Sequence, residues 1–179
     1  RRAQIVDILC MWYCHHHLGC PGAFAEISTG QGKSAIIAAF AAILLLKDAT
    51  CCIDIHTSAQ SLAERDCAGW KGFFTLLGFH CGVTRALPNF DGVQECYQTS
   101  DDGQRVHILY GCSAQYHFDL LNGGRNGRPF IACIIDEVDF VVVDGKFNVS
   151  MLARPTPGGI FVFPGLQVIW SYVQHLPKQ

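Results

Sequence analysis

Two short segments hold residue types that together could bind and cleave a nucleoside triphosphate. The first is Ser28-Thr29-Gly30-Gln31-Gly32-Lys33-Ser34. Closely spaced glycines let a loop wrap an anion, its N–H groups and the following helix N-terminus point at phosphate, and Lys33 adds a charge for the β and γ oxygens. The Ser34 hydroxyl would sit on Mg²⁺. The segment ends GxGK[ST] without meeting GxxxxGK[ST], because Ile27 stands at the first glycine position. A glycine-rich turn with an incidental lysine is the alternative. The second segment is Asp136-Glu137-Val138-Asp139. A carboxylate just past a parallel strand lies at the same sheet edge as the loop after another strand. Asp136 would hold Mg²⁺ through water, and Glu137 would orient or deprotonate the attacking water. Alone, such an acidic cluster is equally a solvated turn. About a hundred residues after a phosphate loop, it points to a nucleotide site.

These segments need elements to hold them. Short apolar runs alternate with turns and amphipathic stretches, the pattern of βαβ units around a parallel sheet. Arg2 to Tyr13 is expected as a helix with Ile5, Ile8, Leu9 and Trp12 on one face. Ala23 to Ile27 is expected as a short buried strand before the glycine loop, and Lys33 to Leu46 as a helix deep in the fold. Strands follow at Cys51 to Ile55, Phe79 to Val83 and Val106 to Tyr110. Ser58 is placed to cap a helix running to about Leu77, and a further helix covers Ala114 to Leu121. Asn122 to Arg128, with three glycines, is expected as a surface loop. Ile131 to Ile135 is uncharged and largely β-branched, fit for the middle of a sheet. The tail from Gly158 is apolar and aromatic, and Pro164 argues against one unbroken helix there. The fold class is α/β, a doubly wound parallel sheet.

The composition bounds the rest. A chain of 179 residues fits one domain, and at that length folding buries roughly 70% of the unfolded surface. Half the residues are hydrophobic and 16% are charged, below a usual share of about 25%. That excludes a disordered tail or solvated linker. A net charge of -2 weighs against a general nucleic-acid binder. The longest apolar run, Ala35 to Leu46, is shorter than the ~20 residues of a membrane span. No N-terminal stretch has signal-peptide order. The chain opens at Arg1, as a piece cut from a longer protein would.

Ten cysteines are many, yet below the roughly 8–10% of a disulfide scaffold. Several, such as Cys51, Cys52 and Cys133, lie in apolar runs as small buried hydrophobes do, so free thiols in a reducing compartment are expected. Cys10, Cys14, His15, His16, His17 and Cys20 cluster, but match no zinc-finger or ribbon spacing. A helix end with polar histidines is the expected reading.

The motifs in order resemble the first nucleotide-binding domain of the SecA-type preprotein translocase ATPases, relatives of the superfamily 2 helicases. Ala25-Glu26-Ile27-Ser28-Thr29-Gly30-Gln31-Gly32-Lys33-Ser34 is similar to that family's AEMRTGEGKT. Thr57 with Ser61-Leu62-Ala63-Glu64-Arg65-Asp66 resembles TxNDYLAxRD, and Leu77-Gly78-Phe79 resembles LGL. Tyr110-Gly111-Cys112 with Phe118-Asp119-Leu120-Leu121 resembles YGTNNEYGFDYLRD, and Asp136-Glu137-Val138-Asp139 is identical to DEVD. The likeness runs from about residue 4 to 144. Cys112 replaces a threonine, Asn122-Gly123 replaces an arginine and aspartate, and Met151 to Gln179 has no clear counterpart. The chain looks like a divergent SecA-like protein.

The resemblance implies a RecA-like, P-loop NTPase fold, a lobe over residues 1–150 and a C-terminal extension over 151–179 packed on it. It implies ATP and Mg²⁺ as ligands. Thr29, Gly30, Gln31, Gly32, Lys33 and Ser34 would hold the nucleotide, Ser34 and Asp136 the metal, and Lys33 and Glu137 would be catalytic. Gln4 is similar to the family's adenine-reading glutamine, with an exposed helix glutamine as the alternative. Arg65 and Asp66 would shape the motor rather than touch nucleotide. Implied partners are the second RecA-like lobe of the parent chain, a polypeptide substrate and a membrane translocon, in a cytoplasmic protein peripheral to the membrane. Hydrolysis would need the second lobe, which supplies arginine. A helicase lobe and a non-catalytic nucleotide-binding interaction module stay open as alternatives.

Overall fold

The computed structural model describes residues 2–18, 22–84, 95–99, 103–121, 125 and 127–141. The apolar tail, residues 85–94 and the side chains of His15 and His16 lie outside them, as does Cys20.

Four parallel strands form the described sheet: β1 (Ile53–Thr57), β2 (Cys81–Val83), β3 (Ile108–Cys112) and β4 (Ala132–Ile135), in the order β2-β3-β1-β4. Ile53 pairs with Ile108 on one side and Ala132 on the other. From β1 the chain crosses to the edge strand β2, returns to place β3 between the two, and then adds β4 on the other side of β1. Helix α3 (Gln60–Leu76) crosses between β1 and β2, and α4 (Ser113–Leu121) follows β3. Helices α1 (Arg2–His17) and α2 (Lys33–Lys47) precede the sheet.

Period-2 alternation in β1 separates two faces. Ile53 and Ile55 pack with Ala38, Ala41, Ala42 and Leu45 of α2 and with Ala63, Cys67 and Phe74 of α3. The alanines of α2 carry little side chain to hold the helix off its neighbours. Asp54 and His56 point to the opposite face, where Tyr116 of α4 lies over His56 with ring centroids 4.0 Å apart. Helices on both faces make the sheet doubly wound, as expected.

Several expectations need correction. Ala23–Ile27 is not a strand, and Phe24 is 91% exposed. A strand needs a neighbour for its N–H and C=O groups, and among the described residues none pairs with this segment. For the same reason β4 ends the described sheet instead of lying in its middle, and Cys133 is exposed, not buried. Strands β1 and β3 start two residues later than the apolar runs suggested. In α1 the expected apolar face is split: Ile5 and Leu9 are more than half exposed, while Trp12 sits 5.5 Å from Lys47 Nζ of α2. Leu46 is also exposed, so α2 buries one side only.

Candidate nucleotide site

The carboxyl ends of parallel strands, at the point where sheet order reverses, form the crevice that α/β folds use for ligands. Here β1 is that point, with β3 and β4 on its two sides. Thr57 ends β1 and Ser58 follows it, and Asp136 and Glu137 follow β4. The Asp136 N–H donates to the His56 carbonyl at 2.9 Å, which carries the ladder one residue past β4 and fixes where the acidic pair emerges.

The glycine loop meets this edge through α2. Gly32 is the N-cap of α2 with φ 81°, and no side chain caps the helix. Uncapped first-turn N–H groups and the helix dipole favour an anion at that point. Gly30 has φ 79°, and the Gln31 N–H turns back to the Ser28 carbonyl at 3.2 Å. The Gln4 amide of α1 donates to the Gln31 carbonyl at 2.8 Å, so α1 braces the loop from outside. Its Nε2 would lie 2.5 Å from a Cβ placed on Gly32, so a larger residue there would have to push the Gln4 amide aside and hold a left-handed backbone. Thr29 is exposed.

Lys33 and Asp136 come close enough to interact. Burial pushes the Asp136 carboxyl above its ordinary range, the Lys33 charge draws it back down, and Glu137 and Asp66 push it up. Ser34 Oγ makes a long hydrogen bond of 3.5 Å to Asp66 Oδ2 on α3. Asp66 also pairs with its neighbour Arg65 at 2.8 Å. Asp66, expected to shape the motor rather than touch nucleotide, therefore faces the loop. Its position seven residues into α3 puts it there, and spacing alone does not reveal which strand that helix crosses.

Ser58 does not cap α3; the N-cap is Ala59, with no side-chain bond. Instead Ser58 Oγ donates to Glu137 Oε2 at 2.6 Å. Glu137 has φ 57°, the left-handed region that a non-glycine residue adopts at some cost. Behind this edge Gln60 ties the strand ends together: its Nε2 donates to the Thr84 carbonyl, and its Oε1 accepts from Thr84 Oγ1 and the Cys112 N–H.

The loop expected at the surface hides a cation. Arg128 is buried and makes five hydrogen bonds, to Asp54 Oδ1 and to the carbonyls of Tyr97, Val106, Ile53 and His107. Arg125 reaches the other Asp54 oxygen at 2.8 Å. Asp54 inside an apolar strand was the available signal, since a buried carboxylate requires a partner.

Among the described residues no three His, Cys, Asp or Glu side chains gather to hold a metal. Cys10 and Cys14 lie on α1, where Tyr13 stacks on His17. No helix among the described residues is long and apolar enough to cross a membrane.

Comparison with known proteins settles the kinship. Residues 16–158 match the family model of the SecA DEAD-like domain. The chain belongs to the SecA DEAD-like domain family. It is similar to the protein translocase subunit SecA of Borrelia garinii subsp. bavariensis, 29% identical over 166 residues, covering 88% of this chain and 17% of that protein. Against the SecA subunit of Ralstonia pickettii it is 31% identical over 131 residues, 69% of this chain and 13% of the relative. Against that of Laribacter hongkongensis it is 25% identical over 157 residues, 83% and 16%. The chain thus spans about a sixth or less of these SecA relatives. The SecA DEAD-like match includes the glycine loop and the DEVD segment, while Gln4 lies ahead of it.

Proposed function

We propose that this chain is the ATP-binding lobe of a SecA-like motor that couples ATP hydrolysis to protein translocation or remodelling. One observation carries the reading: the uncapped, glycine-built N-terminus of α2 bears Lys33, whose charge acts on Asp136 at the carboxyl end of β4. Thr29 to Ser34 wrap the phosphates, and Lys33 neutralises the β and γ oxygens. Gln4, already against the loop, reads the adenine. Ser34 and Asp136 suit Mg²⁺, which takes one or two protein oxygens and otherwise water and phosphate, so the lack of a three-carboxylate cluster is no obstacle. When bound, that ion supplies positive charge to the phosphate oxygens. Glu137, steadied by Ser58, orients the attacking water and takes its proton.

The transferred phosphoryl group needs further positive charge, often an arginine worth about 10³–10⁵ in rate. In this reading it comes from the second RecA-like lobe of the parent chain. The other partners are a polypeptide and a membrane translocon, with the motor cytoplasmic and peripheral to the membrane.

Titration with a fluorescent ATP analogue, with and without Mg²⁺, tests the proposal. The chain binds, and Lys33→Ala weakens binding by roughly 10- to 100-fold, as loss of a charged hydrogen bond of about 1.5–3 kcal/mol requires. Turnover by the chain alone stays far below that of the parent protein. Hydrolysis by the chain alone at the parent's rate would overturn the division of labour, and equal binding by Lys33→Ala would overturn the site. Salt-dependent binding of single-stranded RNA would favour a helicase lobe instead.

A further inference from the structure

Two buried thiols join α3 to β2. Cys67, in the middle of α3, and Cys81, the first residue of β2, are 5% and 4% exposed. Their sulfurs are 3.3 Å apart, closer than ordinary sulfur contact and within about 1.3 Å of the bonded distance of roughly 2.05 Å. Cys81 Sγ also faces the Cys67 carbonyl at 3.7 Å. Burial pushes up the pKa of the Tyr110 hydroxyl on the neighbouring strand β3, both thiols add to this, and among the described residues it has no hydrogen-bond partner.

We infer that Cys67 and Cys81 are an oxidisable pair that closes to a disulfide when the protein meets a peroxide, stapling α3 to the sheet. The Cys67 S–H donates to the Cys81 sulfur, which holds the Cys81 thiol below its ordinary pKa, and Lys71 adds to this. Cys81 is therefore the first nucleophile. Its thiolate attacks one peroxide oxygen, the O–O bond breaks, and hydroxide leaves to take up a proton. The resulting sulfenic acid lies beside Cys67, whose thiol attacks the sulfur, and the S–O bond breaks to release water. The two thiols lose two electrons and two protons, and hydrogen peroxide becomes two waters. Burial leaves local opening as the route in for so small an oxidant.

The staple lies next to the loop. Cys67 directly follows Asp66, the residue that accepts the Ser34 hydroxyl, so the bond would restrain α3 at the point where it faces the loop. That consequence rests on the nucleotide reading, whereas the disulfide does not.

Peptide mapping of the full chain decides it. Trypsin cuts after Arg65, Lys71 and Arg85, so each cysteine falls on its own peptide, 66–71 and 72–85. The protein is treated with hydrogen peroxide, quenched in acid, alkylated under denaturing conditions and digested. The expected product is peptide 66–71 linked to 72–85, at doses where Cys51 and Cys52, equally buried, remain alkylated. Dithiothreitol reverses it. Closing a fifteen-residue loop raises Tm by ~5–10 °C, and Cys81→Ser abolishes both effects. If peptides 66–71 and 72–85 are recovered alkylated while the exposed Cys10 and Cys133 oxidise, or if either is linked to a different cysteine, the inference fails. The mapping uses the unaltered chain, so it does not depend on the variant folding. Nucleotide titration of the reduced protein separates failure here from failure of the ATP site.

Discussion

Ser58 and Glu137, 79 residues apart in the chain, meet through a 2.6 Å hydrogen bond at the carboxyl edge of the sheet. Ser58 leaves β1 and Glu137 leaves β4, and these strands are neighbours. The bond holds a carboxylate whose backbone is already in a costly left-handed conformation. If Glu137 handles the attacking water, Ser58 is a positioning residue. In the parent protein, Ser58→Ala should lower kcat for ATP hydrolysis roughly fivefold, the value of about 1 kcal/mol for one hydrogen bond. KM should stay within about twofold, and Ser58→Thr should restore most of the rate. Glu137→Gln should abolish hydrolysis and keep ATP binding. An unchanged kcat for Ser58→Ala would show that the bond serves the loop alone.

Gly32→Ala should remove nucleotide binding while leaving the fold in place. Its φ of 81° costs an alanine about 1–2 kcal/mol, and the new methyl would run into the Gln4 amide. The double variant Gly32→Ala, Gln4→Ala should recover only the part of the stability lost to the clash and should not regain affinity, because the backbone strain stays and Gln4 itself is placed on the adenine. Circular dichroism and calorimetric titration with ATP measure the two separately. Normal affinity in the single variant would mean that the loop reshapes freely.

Asp54→Ala should cost about 3–5 kcal/mol of stability, since it leaves Arg128 charged and buried with carbonyls alone. Asp54 is 1% exposed and Arg128 is 6% exposed, so water cannot replace the lost carboxylate without opening the core. Urea unfolding followed by tryptophan fluorescence gives the figure. Removing Arg125, whose side chain is 12% exposed, should cost less, because Arg128 still pairs with Asp54. The reverse ranking would contradict the hydrogen-bond geometry.

Acid should destabilise the fold through His56. Burial pushes this imidazole down to about 4 from 6.5, against the pull of Asp54. Among the described residues its Nε2 has no hydrogen-bond partner, and its Nδ1 lies 3.4 Å from Ser113 Oγ. The folded state prefers the neutral ring, so this contribution is complete above pH 6.5 and is lost progressively as pH falls towards about 4. A shift of this size corresponds to about 3 kcal/mol. His56→Phe should keep the stack on Tyr116 and flatten the stability profile between pH 6.5 and 4 by that amount. Superimposable profiles for the two proteins would rule the residue out as the cause.

Much of this was legible in the chain itself. The 3.6-residue spacing of Ala63, Cys67, Trp70 and Phe74 marks α3, and the uncharged run before Asp136 marks β4. These depend on neighbours a few residues away. Both chemical segments, Ser28–Ser34 and Asp136–Asp139, were likewise visible as motifs. The strand expected at Ala23–Ile27 fails for a non-local reason, because a strand exists only when another one is beside it. Ser58 has the composition of a helix cap, yet its hydroxyl goes to Glu137 because β1 and β4 happen to be adjacent.

By itself, then, the sequence determined the α/β class, the order of the elements from α2 onward, the two motifs and the kinship with the SecA DEAD-like domain. Local periodicity and short-range spacing suffice for those. Only the tertiary structure decided that Asp54 binds Arg128 and Arg125, that Asp66 faces Ser34, and that Cys67 touches Cys81. Each of those pairs is brought together by strand order and helix crossing. Buried charge and sulfur take whichever partner the closed sheet puts within about 3 Å, and the sequence spacing between them carries no trace of that choice.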